Sequence, residues 1–230
     1  MIFIVFVGSQ GAGKTTLAKF LMRKLVSNEK HGICYVKLID YTIFHHAYLR
    51  ALSKISNGSD SSILFSKLFP LYALQHIMGL LISYIKFTIL RLTVRCTFMV
   101  EDEGFIFKEI PDLYFIAYVT GSLRSRFNLR LIRGVLALIL ALGGKILGRD
   151  TVIIYVSAPY DVLKVRYIID NRGIEPKPYV NFQDAVYRLI INKLPYKTIQ
   201  VNTVNGVDSS SFITQVIKAI GNKRWYRRFP

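Results

Sequence analysis

The chain has 230 residues, 52% hydrophobic and 20% charged, which excludes a disordered protein and suits one mid-sized domain with a full core. Lysine and arginine total 31 against 14 acidic residues, a formal charge of +17, so the partners are expected to be anionic: nucleotide, nucleic acid or an acidic membrane surface. Cys34 and Cys96 are the two cysteines, too few for a disulfide framework or a zinc site of their own; each lies in an apolar run and reads as a buried strand residue.

In chain order, Ile2–Val7 is apolar throughout and runs directly into a glycine-rich turn. It reads as a strand rather than as the core of a signal peptide, and a cytoplasmic location is expected. Gly8-Ser9-Gln10-Gly11-Ala12-Gly13-Lys14-Thr15 then satisfies G-x-x-x-x-G-K-[ST] in full. Glycines at these places let successive backbone N–H groups converge on phosphate oxygens, and the helix that follows adds the positive end of its dipole. Lys14 is expected to reach the β- and γ-phosphates and the Thr15 hydroxyl to ligate Mg²⁺. Gly8, Gly11, Ala12, Gly13, Lys14, Thr15 and Thr16 thus form the expected cradle for ATP. A helix from about Gly13 to Val26, with Leu17, Phe20, Leu21 and Leu25 on one side, supplies the context that the motif requires.

A second strand is expected at Ile33–Ile39, followed by Tyr41–Thr93, which holds no strand and reads as two or more helices. Adjacent His45 and His46 point about 100° apart on a helix and do not share a metal readily; Arg50, one turn beyond His46, is open as an acceptor-phosphate ligand or a snorkelling surface residue. Leu68–Ile85 lacks formal charge but contains Pro70, Gln75 and His76, so a buried or interfacial helix is expected in place of a membrane span. The third strand, Arg95–Glu101, ends in Glu101-Asp102-Glu103. Parallel strands aim their carboxyl ends at the ligand, which makes Asp102 the candidate metal carboxylate and Glu103 the candidate proton acceptor, with Glu101 replacing either if the register slips by one.

Phe105–Leu147 again reads as helices. There Arg126, Arg130 and Arg133 recur at i, i+4 and i+7 on one stripe, just before the apolar run Val135–Leu142. That stripe suits an anionic lipid interface, a lid above a triphosphate, or a solvated outer face. A fourth strand at Thr151–Ser157 precedes Ser157-Ala158-Pro159 and a helix from Tyr160 to Asp170. Arg166 and Arg172 are candidates for mobile guanidinium groups that neutralise a transferring phosphate. A fifth strand at Thr198–Asn202, a helix beginning at Asp208–Ser211 and ending at Gly221, and a basic, aromatic tail at Lys223–Arg228 complete the chain. Strands alternating with helices imply an α/β fold with a five-stranded parallel sheet covered on both faces.

These pieces, in this order, resemble the P-loop kinases of nucleosides and nucleotides, thymidylate-kinase-like proteins in particular, over nearly the whole chain: Val7–Leu17, Phe98–Gly104, Val152–Arg166 and Ile199–Thr203. The resemblance implies a single three-layer P-loop kinase domain over residues 1–230, with helical acceptor and lid regions near 41–94 and 105–148 and a basic tail at 222–230. It implies transfer of the γ-phosphoryl group of ATP, with Mg²⁺, to a small acceptor such as a nucleoside monophosphate; a homodimer stays open, since the sequence does not fix the oligomeric state. It also places Asn202, Thr203 and Asn205 against the adenine. Three departures qualify the acceptor. Asp102-Glu103-Gly104-Phe105 stands where the family has Asp-Arg-Tyr, Asp40-Tyr41 replaces Arg-Glu-Pro, and Arg166 and Arg172 are further apart than in the usual lid pattern. A nucleotide-binding switch or slow ATPase, held peripherally at a membrane or on nucleic acid by the positive surface, stays open as the alternative, as does a kinase of a lipid-linked or sugar acceptor. A GTPase is disfavoured because Asn192-Lys193-Leu194-Pro195 lacks the aspartate of the guanine element.

Overall fold

The structure, a computed structural model, describes residues 1–26, 32–38, 60–94, 96–102, 105–148, 150–171, 174–204 and 206–221. In chain order its elements are β1 (Ile2–Val7), α1 (Lys14–Val26), β2 (Ile33–Val36), α2 (Asp60–Thr93), β3 (Phe98–Glu101), α3 (Phe105–Val119), a 3-10 turn (Ser122–Arg124), α4 (Arg126–Ile146), β4 (Thr151–Ser157), α5 (Tyr160–Ile169), α6 (Lys177–Lys193), β5 (Lys197–Asn202) and α7 (Ser209–Ile220). Two compact units share them: Met1–Lys37, Val94–Gly104 and Leu147–Pro230 make the first, and Leu38–Thr93 with Phe105–Ile146 the second.

The first unit is α/β, as its alternating pattern requires. Its five strands run in the order β2-β3-β1-β4-β5, and every neighbouring pair is parallel. β1 and β4 are buried on both faces, which explains their unbroken apolar sequence. On one face Ile4 and Phe6 of β1 pack with Leu17, Leu21 and Leu25 of α1 and with Phe212, Val216 and Ile217 of α7. α7 carries clear end signals: Asp208 Oδ1 accepts from the Ser210 N–H at 3.0 Å, and Gly221 closes the helix at φ 72°.

Three sequence expectations change. β2 stops at Val36 and β3 begins at Phe98, so both are shorter than the apolar runs that contain them. α6 was not singled out by the sequence; it starts behind Pro176, with proline in its first turn, and buries Val180, Gln183, Tyr187 and Ile191 at helical spacing. Cys34 and Cys96 are only half-buried, and they are joined as a disulfide between β2 and the segment entering β3, with Cα atoms 5.8 Å apart. The pairing of adjacent strands brings them together although 62 residues separate them in sequence.

The second unit is helical, with α2 packed on α3 and α4. Phe69, Tyr72, Ala73, His76, Leu80, Ser83 and Phe87 form the buried side of α2, at the spacing of one helix face. His76 Nδ1 pairs with Glu109 Oε2 of α3, and the Ser83 hydroxyl donates to the Leu38 carbonyl at 2.5 Å. Burial alone lowers the pKa of His76; the charge and hydrogen bond of Glu109, with Asp112 further off, outweigh it and hold the imidazole above its ordinary value. α4 buries Asn128, Ile132, Val135 and Ile139 and turns Arg126, Arg130 and Arg133 outward. His45, His46, Arg50 and Asp40-Tyr41 lie outside the described residues.

Candidate nucleotide site

The site grows from the carboxyl end of β1. Gly8, Gly11 and Gly13 take φ values of 149°, 74° and 97°, conformations that side chains resist. Two of the three are also sterically closed to any other residue. A Cβ on Gly8 would stand 2.0 Å from the carbonyl oxygen of Val156 in β4, and one on Gly11 would stand 2.9 Å from the ring of Tyr167. The loop ends where α1 begins at Lys14, leaving the first N–H groups of that helix without intrahelical partners. Lys14 Nζ donates to the carbonyls of Gly8 and Ser9, each at 2.8 Å, so its ammonium curls over the loop it is expected to serve. Thr15 and Thr16 are exposed beside it, and Ala12 is fully buried beneath.

Beneath and beside the loop lies a brace that the motif does not announce. Arg166 of α5 donates from Nη1 to the Gly11 carbonyl at 3.0 Å and to Thr203 Oγ1 at 2.9 Å, and from Nη2 to the Thr203 carbonyl at 2.6 Å. Thr203 in turn donates its hydroxyl proton to the Ala12 carbonyl at 2.9 Å, and its N–H donates to the Ser157 carbonyl at 3.0 Å. The Tyr167 hydroxyl donates to the Gln10 carbonyl at 2.8 Å, with Glu175 Oε2 at 3.2 Å on its other side. Carbonyls of Gln10, Gly11 and Ala12 are thereby fixed by side chains, and the Ala12 N–H is bonded within the loop to the Ser9 carbonyl at 3.2 Å.

Two expected roles therefore sit differently in the structure. Arg166 is tied to the loop and to the chain after β5 rather than held as a mobile guanidinium, because three acceptors already surround it. Thr203 is buried and its hydroxyl is committed to the loop rather than open to an adenine. Asn202 is exposed, with Oδ1 accepting from the Val204 N–H at 3.0 Å. Arg172, Glu103 and Asn205 lie outside the described residues. Tyr167 was missed: a tyrosine on the apolar side of a helix carries no mark that separates a loop brace from ordinary core.

The acids fall at the carboxyl end of β3, directly beside β1. The register pairs Val5 with Glu101, so the chain leaves β3 through Asp102 alongside the last residues before Gly8. Glu101 and Asp102 are both buried, and Asp102 Oδ1 has no hydrogen-bond partner. A buried polar oxygen without a donor is costly, and a cation is one partner that would satisfy it. Among the described residues no group of three or more His, Cys, Asp or Glu side chains could hold a metal by itself. Mg²⁺ needs few protein ligands, since it keeps most of its shell for phosphates and water. Asp102 and Thr15 fit it.

No family profile matches the sequence, and no curated protein matches it in sequence. Solved structures do match in fold. The chain is similar to deoxyadenosine kinase from M. mycoides with bound dATP, at TM-score 0.60 and 13% identity over 96% of this chain and 100% of that one. The same enzyme with bound dCTP gives 0.56 and 14% over 96% and 99%. Thymidylate kinase from Ehrlichia chaffeensis gives 0.50 and 15% over 94% and 97%. The fold of this chain is that of the P-loop nucleoside and nucleotide kinases.

Proposed function

We propose that the chain is an ATP- and Mg²⁺-dependent phosphotransferase of the nucleoside and nucleotide kinase type, which moves a γ-phosphoryl group to a small acceptor such as a nucleoside monophosphate. The observation that carries this reading is the unpartnered, buried Asp102 oxygen at the end of β3, beside the strand that opens the Gly8–Thr15 loop. Backbone N–H groups of the loop and the start of α1 bind the phosphate chain; Lys14 leaves its two carbonyl contacts to neutralise the β- and γ-phosphates. Thr15 and Asp102 would hold the ion, which would offset charge on the phosphate oxygens. Glu103 accepts the proton of the attacking hydroxyl. Catalysis of this kind rests on position and charge rather than on covalent chemistry by the protein.

The sequence Asp102-Glu103-Gly104 offers no guanidinium for an acceptor's own phosphate, so nucleosides belong in the test beside monophosphates. The test is ADP release from ATP with such a panel, comparing wild type with Lys14→Ala. Stimulation by one acceptor, and its loss by at least about 100-fold in the variant with the fold intact, is expected. Turnover indifferent to Lys14 would remove the site from the reaction.

A further inference from the structure

We propose that the second unit docks on an anionic lipid bilayer through the outer side of α2. The inference is independent of the reaction assigned above and comes from what that helix leaves exposed. Between Lys67 and Arg91 each exposed residue of α2 is a large hydrophobe: Leu71, Leu74, Met78, Leu81 with Ile82, Ile85 and Ile89. They recur at three- and four-residue steps along one side of the helix, opposite the buried Tyr72, His76 and Leu80. Together they expose about 700 Å² of apolar surface, more than the 300–600 Å² of the largest patch on an ordinary monomer.

Charge identifies the occupant. Among the described side chains of this unit, every exposed charged one is basic, including Lys67 and Arg91 at the two ends of the stripe and Arg126, Arg130 and Arg133 on α4. The two acids with described side chains turn inward: Asp112 is buried, and the Glu109 carboxylate is paired with His76. A second copy seated two-fold on this stripe would set basic ends against basic ends, with no exposed acid among the described side chains of this unit to answer them. A bilayer of anionic lipids meets both properties at once, with acyl chains for the stripe and headgroups for the cations. By length and composition Lys67–Thr93 could also cross a membrane. Its other side, however, carries Gln75, His76 and Ser83 into a helical unit with exposed arginines, which hydrocarbon would exclude. The helix therefore lies along the surface.

The experiment is co-sedimentation of the full chain with vesicles of phosphatidylcholine alone or mixed with phosphatidylserine, at low and high salt. Binding to the mixed vesicles only, weakened by salt, is expected. Met78→Glu with Ile85→Glu should weaken it at least about tenfold, and Arg126→Gln with Arg130→Gln and Arg133→Gln on the order of 100-fold at low salt. Nucleotide affinity should be unchanged in both variants. Replacing Lys223, Arg224, Arg227 and Arg228 by Gln should leave vesicle binding in place. The proposal is overturned if wild type ignores anionic vesicles, if the stripe variant binds like wild type, or if only the tail variant loses binding. It is equally overturned if alkaline carbonate fails to release the protein, which would indicate a spanning helix. Sedimentation velocity closes the remaining route: a dimer abolished by the stripe glutamates, without vesicle binding, would assign the face to a second copy.

Discussion

Arg166 separates two accounts of the site, because it serves either as a strut of the loop or as a charge on the transferring group. Arg166→Gln removes the contacts at 3.0, 2.9 and 2.6 Å that join α5 to Gly11 and Thr203. A hydrogen bond from a charged donor contributes about 1.5–3 kcal/mol, but this side chain is half-exposed and water reaches the freed acceptors, so about 2 kcal/mol is expected for all three. For a chain of this length that is a fall of roughly 4–8 °C in the thermal midpoint. Loosening the loop should raise the KM for ATP about tenfold while kcat changes by less than about threefold, since binding and not the transition state loses support. Thermal melts and steady-state kinetics on the same preparation decide the matter. An unchanged midpoint with kcat reduced about 100-fold or more would refute the strut and put the guanidinium on the phosphoryl group.

Asp102→Asn changes a buried acid whose Oδ1 lacks a donor, so the thermal midpoint should hold or rise; calorimetry should show that Mg²⁺ no longer strengthens triphosphate binding by more than about tenfold. Gly8→Ala would drive a methyl group to 2.0 Å from the Val156 carbonyl oxygen and should yield insoluble or nucleotide-blind protein. Gly134→Ala on α4 meets nothing within 4 Å and should raise stability by about 0.5–1 kcal/mol in denaturant titrations. For His76 the folded pKa lies above the ordinary 6.5, so its pairing with Glu109 stabilises fully below that pH and fades as pH rises through the raised value. Denaturation from about pH 6 to 9 should show wild type losing stability relative to His76→Gln; parallel curves for the two proteins would contradict this.

Strands buried on both faces were the legible part of the fold. Ile2–Val7 and Thr151–Ser157 have the same ends in sequence and structure, because an unbroken apolar run between polar turns leaves no choice of face. Where apolar residues continue past the last ladder bond, as at Leu38 after β2, periodicity cannot show that pairing has ended. α6 escaped notice because Pro176 and Pro178 mask its start, and the cysteine pair because only strand adjacency joins positions so distant. In the site, the Gly8–Thr15 loop was readable since its chemistry is written in one local pattern. The Arg166–Thr203 brace was not, since its partners come from three separated segments and its charge suggests a ligand rather than a carbonyl.

The sheet order has a consequence for how such a chain must be made. β1 never pairs with the next strand in sequence; its neighbours are β3 and β4, and Phe3 waits for Thr151. During synthesis the strand that opens the phosphate loop emerges long before either flank, with apolar side chains on both faces and no edge to join. A ribosome stalled before Phe98 would therefore hold an apolar nascent segment with neither flanking strand made, well suited to capture by a chaperone.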